Sequence, residues 1–215
     1  MQLVMVCRYT WSCLDRIVEL TSAGTWLDAD SGPKNAPATP PSNVSRFGWA
    51  VKDTSQDGIP QVVHYQAGVG TKGGRISRAV GGATGEGLEE NVRAAYSFLA
   101  VNWRPGDEIF LLGFSRGAWT ARSVAGMIGA LGLLTRAGLP MFPEIYKDFK
   151  HRHDPRYVGA QRDVPFKDKP SFEDPHYVEE LQRRGLTRIR VPIKAVGVWD
   201  TVGMNPTPSK LYPNN

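Results

Sequence analysis

Two cysteines, Cys7 and Cys13, are all that this chain of 215 residues contains. Six positions apart, they form neither a C-x-x-C pair nor a disulfide framework, and they suit a reducing compartment. Histidine is scarce too, with only His64, His151, His153 and His176. His151-Arg152-His153-Asp154 has an H-x-H spacing with no clear further ligand beside it, so no metal site and no cofactor are expected. No uninterrupted apolar run reaches about 18 residues, which argues against a membrane span. The opening MQLVMVCRYTW lacks a basic n-region, and no long apolar stretch precedes Arg8. A secretory signal is therefore not expected, and the expected location is cytoplasmic. The glycine-rich stretch Gly73 to Gly87 has no G-x-x-x-x-G-K-[ST] and reads as a loop rather than a phosphate cradle.

What is present describes an ordinary globular chain, 41% hydrophobic and 22% charged, long enough to bury one core. The formal charge is +5. Much of the excess lies between Arg136 and Lys194, interspersed with acids. It reads as a solvated surface or as a mild attraction to anionic lipid or phosphate. No nucleic-acid partner is expected, since no binding motif accompanies the charge.

Residues Asp107 to Leu134 dominate the pattern. Glu108 to Leu112 is a short apolar run of strand type, Gly113-Phe114-Ser115-Arg116-Gly117 follows, and Ala118 to Leu134 has helical spacing. Strand, G-x-S-x-G, helix is the context of a nucleophile elbow, a sharp turn that lifts a serine hydroxyl above the sheet edge. Ser115 is then expected to carry strained backbone angles. The amide of Arg116, opening the helix, would face a developing oxyanion.

The other elements follow from the same periodicities. Leu3 to Cys7 reads as a first central strand, and Arg8 to Ala23 do not continue it. A Pro- and Ser-rich loop, Ser31 to Pro41, precedes a capped helix start at Ser42-Asn43. Val62 to Tyr65 reads as a strand and Leu88 to Trp103 as a helix with Leu88, Val92, Ala95 and Leu99 buried. Short helices are expected within Pro140 to Lys150 and from Asp174 or Pro175 to Arg184. The intervening polar sequence suits either a cap over a pocket, across 136–190, or a plain surface excursion. Ile193 to Trp199 is a buried strand, and Asp200 stands at its C-terminal end, where parallel sheets keep their chemistry.

A serine hydroxyl needs a base, and the base an orienting carboxylate. Ser115 and Asp200 suit the first and last of these roles, with room expected for one imidazole between them. No histidine follows Asp200. His64 lies within a strand, and His151, His153 and His176 read as surface residues, with His176 the alternative base.

These segments resemble a family of α/β-hydrolases, common in fungi and bacteria, that includes the phospholipase effectors of type VI secretion. The resemblance rests on Gly24-Thr25-Trp26, Ser42-Asn43-Val44, Tyr65-Gln66-Ala67-Gly68-Val69-Gly70-Thr71, Gly106-Asp107-Glu108-Ile109-Phe110, Gly113-Phe114-Ser115-Arg116-Gly117-Ala118 and Gly197-Val198-Trp199-Asp200-Thr201-Val202-Gly203. It implies a mostly parallel sheet flanked by helices, in one domain over 1–215. It implies a serine hydrolase of lipid or other carboxylic esters, with Ser115 as nucleophile, Asp200 as triad acid and no metal. The second oxyanion donor is expected at the Gly24 or Thr25 amide, because this fold supplies it from the loop after the first strand. Two departures stand out. Ala23 occupies the family's Asp position, with Arg8 to Ala23 resembling an insertion after the strand Leu3 to Cys7. The family's histidine lies downstream of Asp200, so the chain resembles the N-terminal part of a catalytic domain. A catalytically silent binding module is the competing expectation.

Overall fold

The computed structural model describes residues 2–5, 17–22, 43–66, 86–159 and 163–201. It is a mixed α/β arrangement around a small sheet that is mostly parallel. In chain order the elements are β1 (Gln2–Met5), β2 (Ile17–Ser22), α1 (Asn43–Ala50), β3 (Gln61–Gln66) and α2 (Glu86–Asn102). They continue with β4 (Ile109–Phe114), α3 (Arg116–Leu131), β5 (Leu133–Leu134), α4 (Phe142–Lys150), α5 (Pro175–Arg183), β6 (Thr187–Arg188) and β7 (Ile193–Trp199).

β4 is the hub. It pairs in parallel with β2 on one edge, Val18 opposite Ile109 through Ser22 opposite Gly113. On its other side it pairs in parallel with β7, Ile109 opposite Ile193 through Phe114 opposite Trp199. β2 continues the parallel sheet to β3. β1 aligns antiparallel with Phe110 to Gly113 of β4. A strand has two hydrogen-bonding edges, and the positions that matter below rest on the β2 and β7 pairings.

This corrects the reading of the N-terminus. The strand Leu3 to Cys7, expected to be central, is shorter (Gln2–Met5) and antiparallel. The central parallel strand is Ile17–Ser22, inside the stretch that resembled an insertion. Its last residue leads directly into Ala23-Gly24-Thr25. Arg8 to Ala23 is thus not an interruption between a strand and its loop, because it contains the strand.

The core lies where α2 and α3 cover the sheet. Val92, Ala95, Tyr96 and Leu99 of α2 meet Ala121, Val124, Met127, Ile128 and Leu131 of α3 in one buried cluster over Ile109 and Leu111. Gly132 ends α3. It has φ +75°, donates its N–H to Ile128 O, and leaves no space for a Cβ, which would fall 2.2 Å from Arg188 O. The Tyr96 hydroxyl donates to Gly132 O at 2.8 Å and accepts from Leu134 N at 3.1 Å. Arg188 donates to Ala100 O and Trp103 O, carbonyls that the end of α2 leaves open, and to Leu134 O of β5.

Residues 136–190 belong to the same packing unit. Phe142, Ile145, Phe166, Phe172, Tyr177, Leu181 and Leu186 join the cluster of α2 and α3. At its centre Asp148 is buried and accepts from Lys169 Nζ (2.5 Å), Tyr177 Oη (2.7 Å) and Tyr157 Oη (3.1 Å). Among the described residues no helix is long and apolar enough to cross a membrane. Of the expected loop Gly73 to Gly87, residues 73–85 lie outside the described residues while Glu86 and Gly87 open α2, and the Pro-rich stretch Ser31 to Pro41 lies wholly outside them.

Candidate active site

The sheet order puts a crevice at one place. From β2 the chain moves to β3 on one side, and β4 and β7 build out on the other. Connections running in opposite directions part between the C-terminal ends of β2 and β4. That switch point is where open parallel sheets hold ligands. β2 ends at Ser22, opposite Gly113, and Ser115 follows Gly113 by two residues.

Ser115 occupies the turn between β4 and α3 with φ 54° and ψ −117°. A non-glycine residue there costs about 1–3 kcal/mol and persists only where its surroundings hold it. Its backbone is held on both sides: Ser115 N donates to Trp199 O (2.9 Å), and Ser115 O accepts from Ala118 N (3.1 Å) and Trp119 N (3.2 Å). A serine in this position usually turns its hydroxyl back onto the first helical turn. Here the side chain makes no capping bond, so the hydroxyl is not committed to the helix.

Asp200 leaves the neighbouring strand at the same edge. Phe114 is paired with Trp199, so Ser115 and Asp200 are each the next residue beyond a register pair. Parallel neighbours run about 4.8 Å apart, which brings the two turns side by side. Asp200 also has a positive φ, 47°, and is exposed. Gly197 of β7 faces Leu112 of β4, whose Cδ2 would have to move aside for a Cβ there.

Arg116 is the first residue of α3, a helix of 16 residues whose N-terminal end carries partial positive charge. Burial lowers the pKa of its guanidinium. Gly24 and Thr25, the other expected oxyanion donors, lie outside the described residues.

None of the four histidines is shown beside Ser115. His64 is in β3, level with Leu20 and hence with Leu111, four residues short of Ser115 and two strands away. At about 3.3 Å per residue this is roughly 13 Å along the strand alone. Its ring stacks on Phe98 at 4.2 Å, and burial holds its pKa down to about 4. His151 stacks on Tyr157 at 4.8 Å. His153 Nδ1 lies 2.7 Å from Glu173. His176 Nδ1 lies 2.8 Å from Asp174 Oδ1, a pairing that raises its pKa on the exposed first turn of α5. Among the described residues no group of three or more His, Cys, Asp or Glu is placed to hold a metal.

Two features escaped the sequence reading. The strand Ile17–Ser22 was obscured by Glu19 and Thr21, although its position just before Gly24-Thr25 was a usable signal. The outer face of α3 carries Trp119, Arg122 and Gly126 at helical spacing, a signal overshadowed by the small apolar residues of its buried side.

Comparison with known proteins identifies the family. The family model for the type VI secretion Tle1-like phospholipase effector catalytic domain matches residues 16–214. The match begins one residue before β2. An uncharacterised protein of Saccharomyces cerevisiae, YEL023C, is 30% identical over 139 residues, covering 57% of this chain and 20% of that protein. The chain thus spans about a fifth of the length of the curated relative it matches. No solved structure matches. The chain belongs to the family of type VI secretion Tle1-like phospholipase effector catalytic domains.

Proposed function

We propose that the chain carries the nucleophile end of a serine hydrolase of α/β-hydrolase type, acting on carboxylic esters of phospholipids or other lipids. The observation that carries this is the pair of turns: Ser115 at φ 54° and Asp200 at φ 47°, side by side at the ends of β4 and β7 and tied by the bond from Ser115 N to Trp199 O. Ser115 Oγ attacks the ester carbonyl. A histidine takes its proton and returns it to the leaving alcohol, and Asp200 orients the imidazole. The Arg116 amide and an amide at Gly24 or Thr25 hold the oxyanion, each worth about 10²–10³ in turnover by analogy with a serine protease. We take 1–215 as one domain, with 136–190 as a cap seated on α2 and α3.

The imidazole is the missing part. With His64, His151, His153 and His176 each engaged elsewhere, we infer that it is supplied from outside these 215 residues. The competing reading, a catalytically silent binding module, is favoured by the same observation.

A fluorophosphonate probe tests the two. Ser115 labelled in the wild type and unlabelled in Ser115→Ala supports the hydrolase. Labelling absent even when a histidine-bearing longer form of the protein is used favours the silent module. Nitrophenyl ester turnover lost in His176→Ala would instead make His176 the base.

A further inference from the structure

We propose that the cleft bounded by α2, α3 and α4 binds the phosphate headgroup of an anionic phospholipid, a proposal that rests on the lipid-ester reading of Ser115. The cleft measures about 380 Å³. Its α3 wall is formed by Trp119, Arg122 and Gly126, which stand four, seven and eleven residues after Ser115. That spacing is one face of a helix, and its near end is one turn from Ser115. At 1.5 Å per residue, Arg122 is about 10 Å along the axis from the proposed nucleophile. This is the span between an ester carbonyl and a headgroup in one lipid molecule rather than between separate sites.

The charge in the cleft is one-sided. Lys150 is paired with Glu89 at 2.6 Å, which cancels both. Arg122 is exposed, and among the described residues no acid pairs with it. Arg152 spends one N–H on Phe149 O at 2.7 Å and lies 4.2 Å over the Phe149 ring, contacts that leave its charge uncompensated.

Guanidinium groups match phosphate geometry and bind it through charge-assisted hydrogen bonds. The rings of Trp119 and Phe149 supply apolar surface beside them, which a free anion would not use. A zwitterionic headgroup would bring its own ammonium into a cationic cleft. The cleft therefore favours a headgroup whose only charge is the phosphate.

The shared chemistry is a phosphate group, and its source, lipid or free ion, separates by experiment. Ser115→Ala protein is titrated calorimetrically with dihexanoyl phosphatidylglycerol, dihexanoyl phosphatidylcholine and inorganic phosphate. The expected result is phosphatidylglycerol tightest, by about tenfold over phosphatidylcholine, and weakened by about tenfold or more in Arg122→Glu. Gly126→Trp tests shape without charge, since nothing lies within 4 Å of a Cβ there. It is expected to keep the fold by circular dichroism and to block the lipid. Equal affinity for the two lipids, or inorganic phosphate binding as tightly as phosphatidylglycerol, overturns the proposal. So does unchanged binding in Arg122→Glu. Binding needs no turnover, so fluorophosphonate labelling absent even from a histidine-bearing longer form, with lipid binding intact, sinks the hydrolase and leaves the cleft standing.

Discussion

The edge bearing Ser115 and the layer formed by α2, α4 and α5 are built on opposite principles. At the edge, two non-glycine residues sit at positive φ, and Trp199, just before Asp200, is 53% exposed. In the helical layer, the side chains of Asp148, Lys169 and Tyr177 are deeply buried and hydrogen-bonded. Asp148 and Lys169 are each 5% exposed in their side chains and are bonded to one another, and the fully buried Tyr177 donates to Asp148. Ser115 and Asp200 thus share one edge at positive φ, a conformation that Asp168 and Arg190 adopt elsewhere, while the helical layer holds the buried ion pair. The contrast is exposed to test, because the two regions should respond in opposite ways to substitution.

The largest effect is expected at the edge and in activity alone. In a form of the protein that turns over ester, Ser115→Ala should lower turnover by on the order of 10⁶, by analogy with a serine protease. Its urea midpoint should stay close to that of the wild type. A large loss of stability in that variant would mean that the serine is structural.

In the helical layer the ranking reverses. Asp148→Ala leaves the Lys169 ammonium buried without its partner and the Tyr177 hydroxyl without its acceptor. A loss of about 3–5 kcal/mol is expected from urea unfolding. Survival of the fold with a loss below about 1 kcal/mol would show the pair to be solvent-screened and the contrast overdrawn.

His64 lies between the two regions and sharpens the comparison through pH. Burial lowers its pKa from 6.5 to about 4 in the folded state. Between those values the unfolded chain binds the extra proton, so stability rises with pH across the window and is lost as pH falls towards 4. His64→Phe should flatten that part of the profile, read as the urea midpoint from pH 7 downward. An unchanged profile would assign the acid sensitivity to carboxylates.

The smallest effect is the most diagnostic of strain. Ser115→Gly puts the residue that tolerates positive φ at the turn, and a gain of about 1 kcal/mol is expected together with loss of labelling. A loss of stability would mean that the Ser115 side chain contributes packing that offsets its backbone conformation.

Much of the site was legible without coordinates because its signals are local. An apolar run, two glycines around a serine and a long small-residue helix specify β4, the turn and α3 within some twenty-five residues. Asp200 at the end of an apolar strand was legible for the same reason. The first strand was not. Leu3 to Cys7 is the more apolar stretch, while Ile17–Ser22 carries Glu19, Thr21 and Ser22 and looks too polar for the middle of a parallel sheet. Its place is set by backbone pairing with both β3 and β4, whose residues are forty to ninety positions away.

The helical layer shows the same division. Sequence spacing by itself pointed to α2, α4 and α5 as helices and, for α2, to the buried Leu88, Val92, Ala95 and Leu99. It was silent on Asp148 meeting Lys169 and Tyr177, on Arg188 closing the end of α2, and on β5 pairing with β6. It was equally silent on the cleft along the outer face of α3, whose walls come from three helices. Helical and strand periodicity are properties of neighbouring residues, and a single sequence carries them openly. Which charge faces which, and which strand takes the central place, is decided only when distant segments compete for the same buried surface and the same hydrogen-bonding edges.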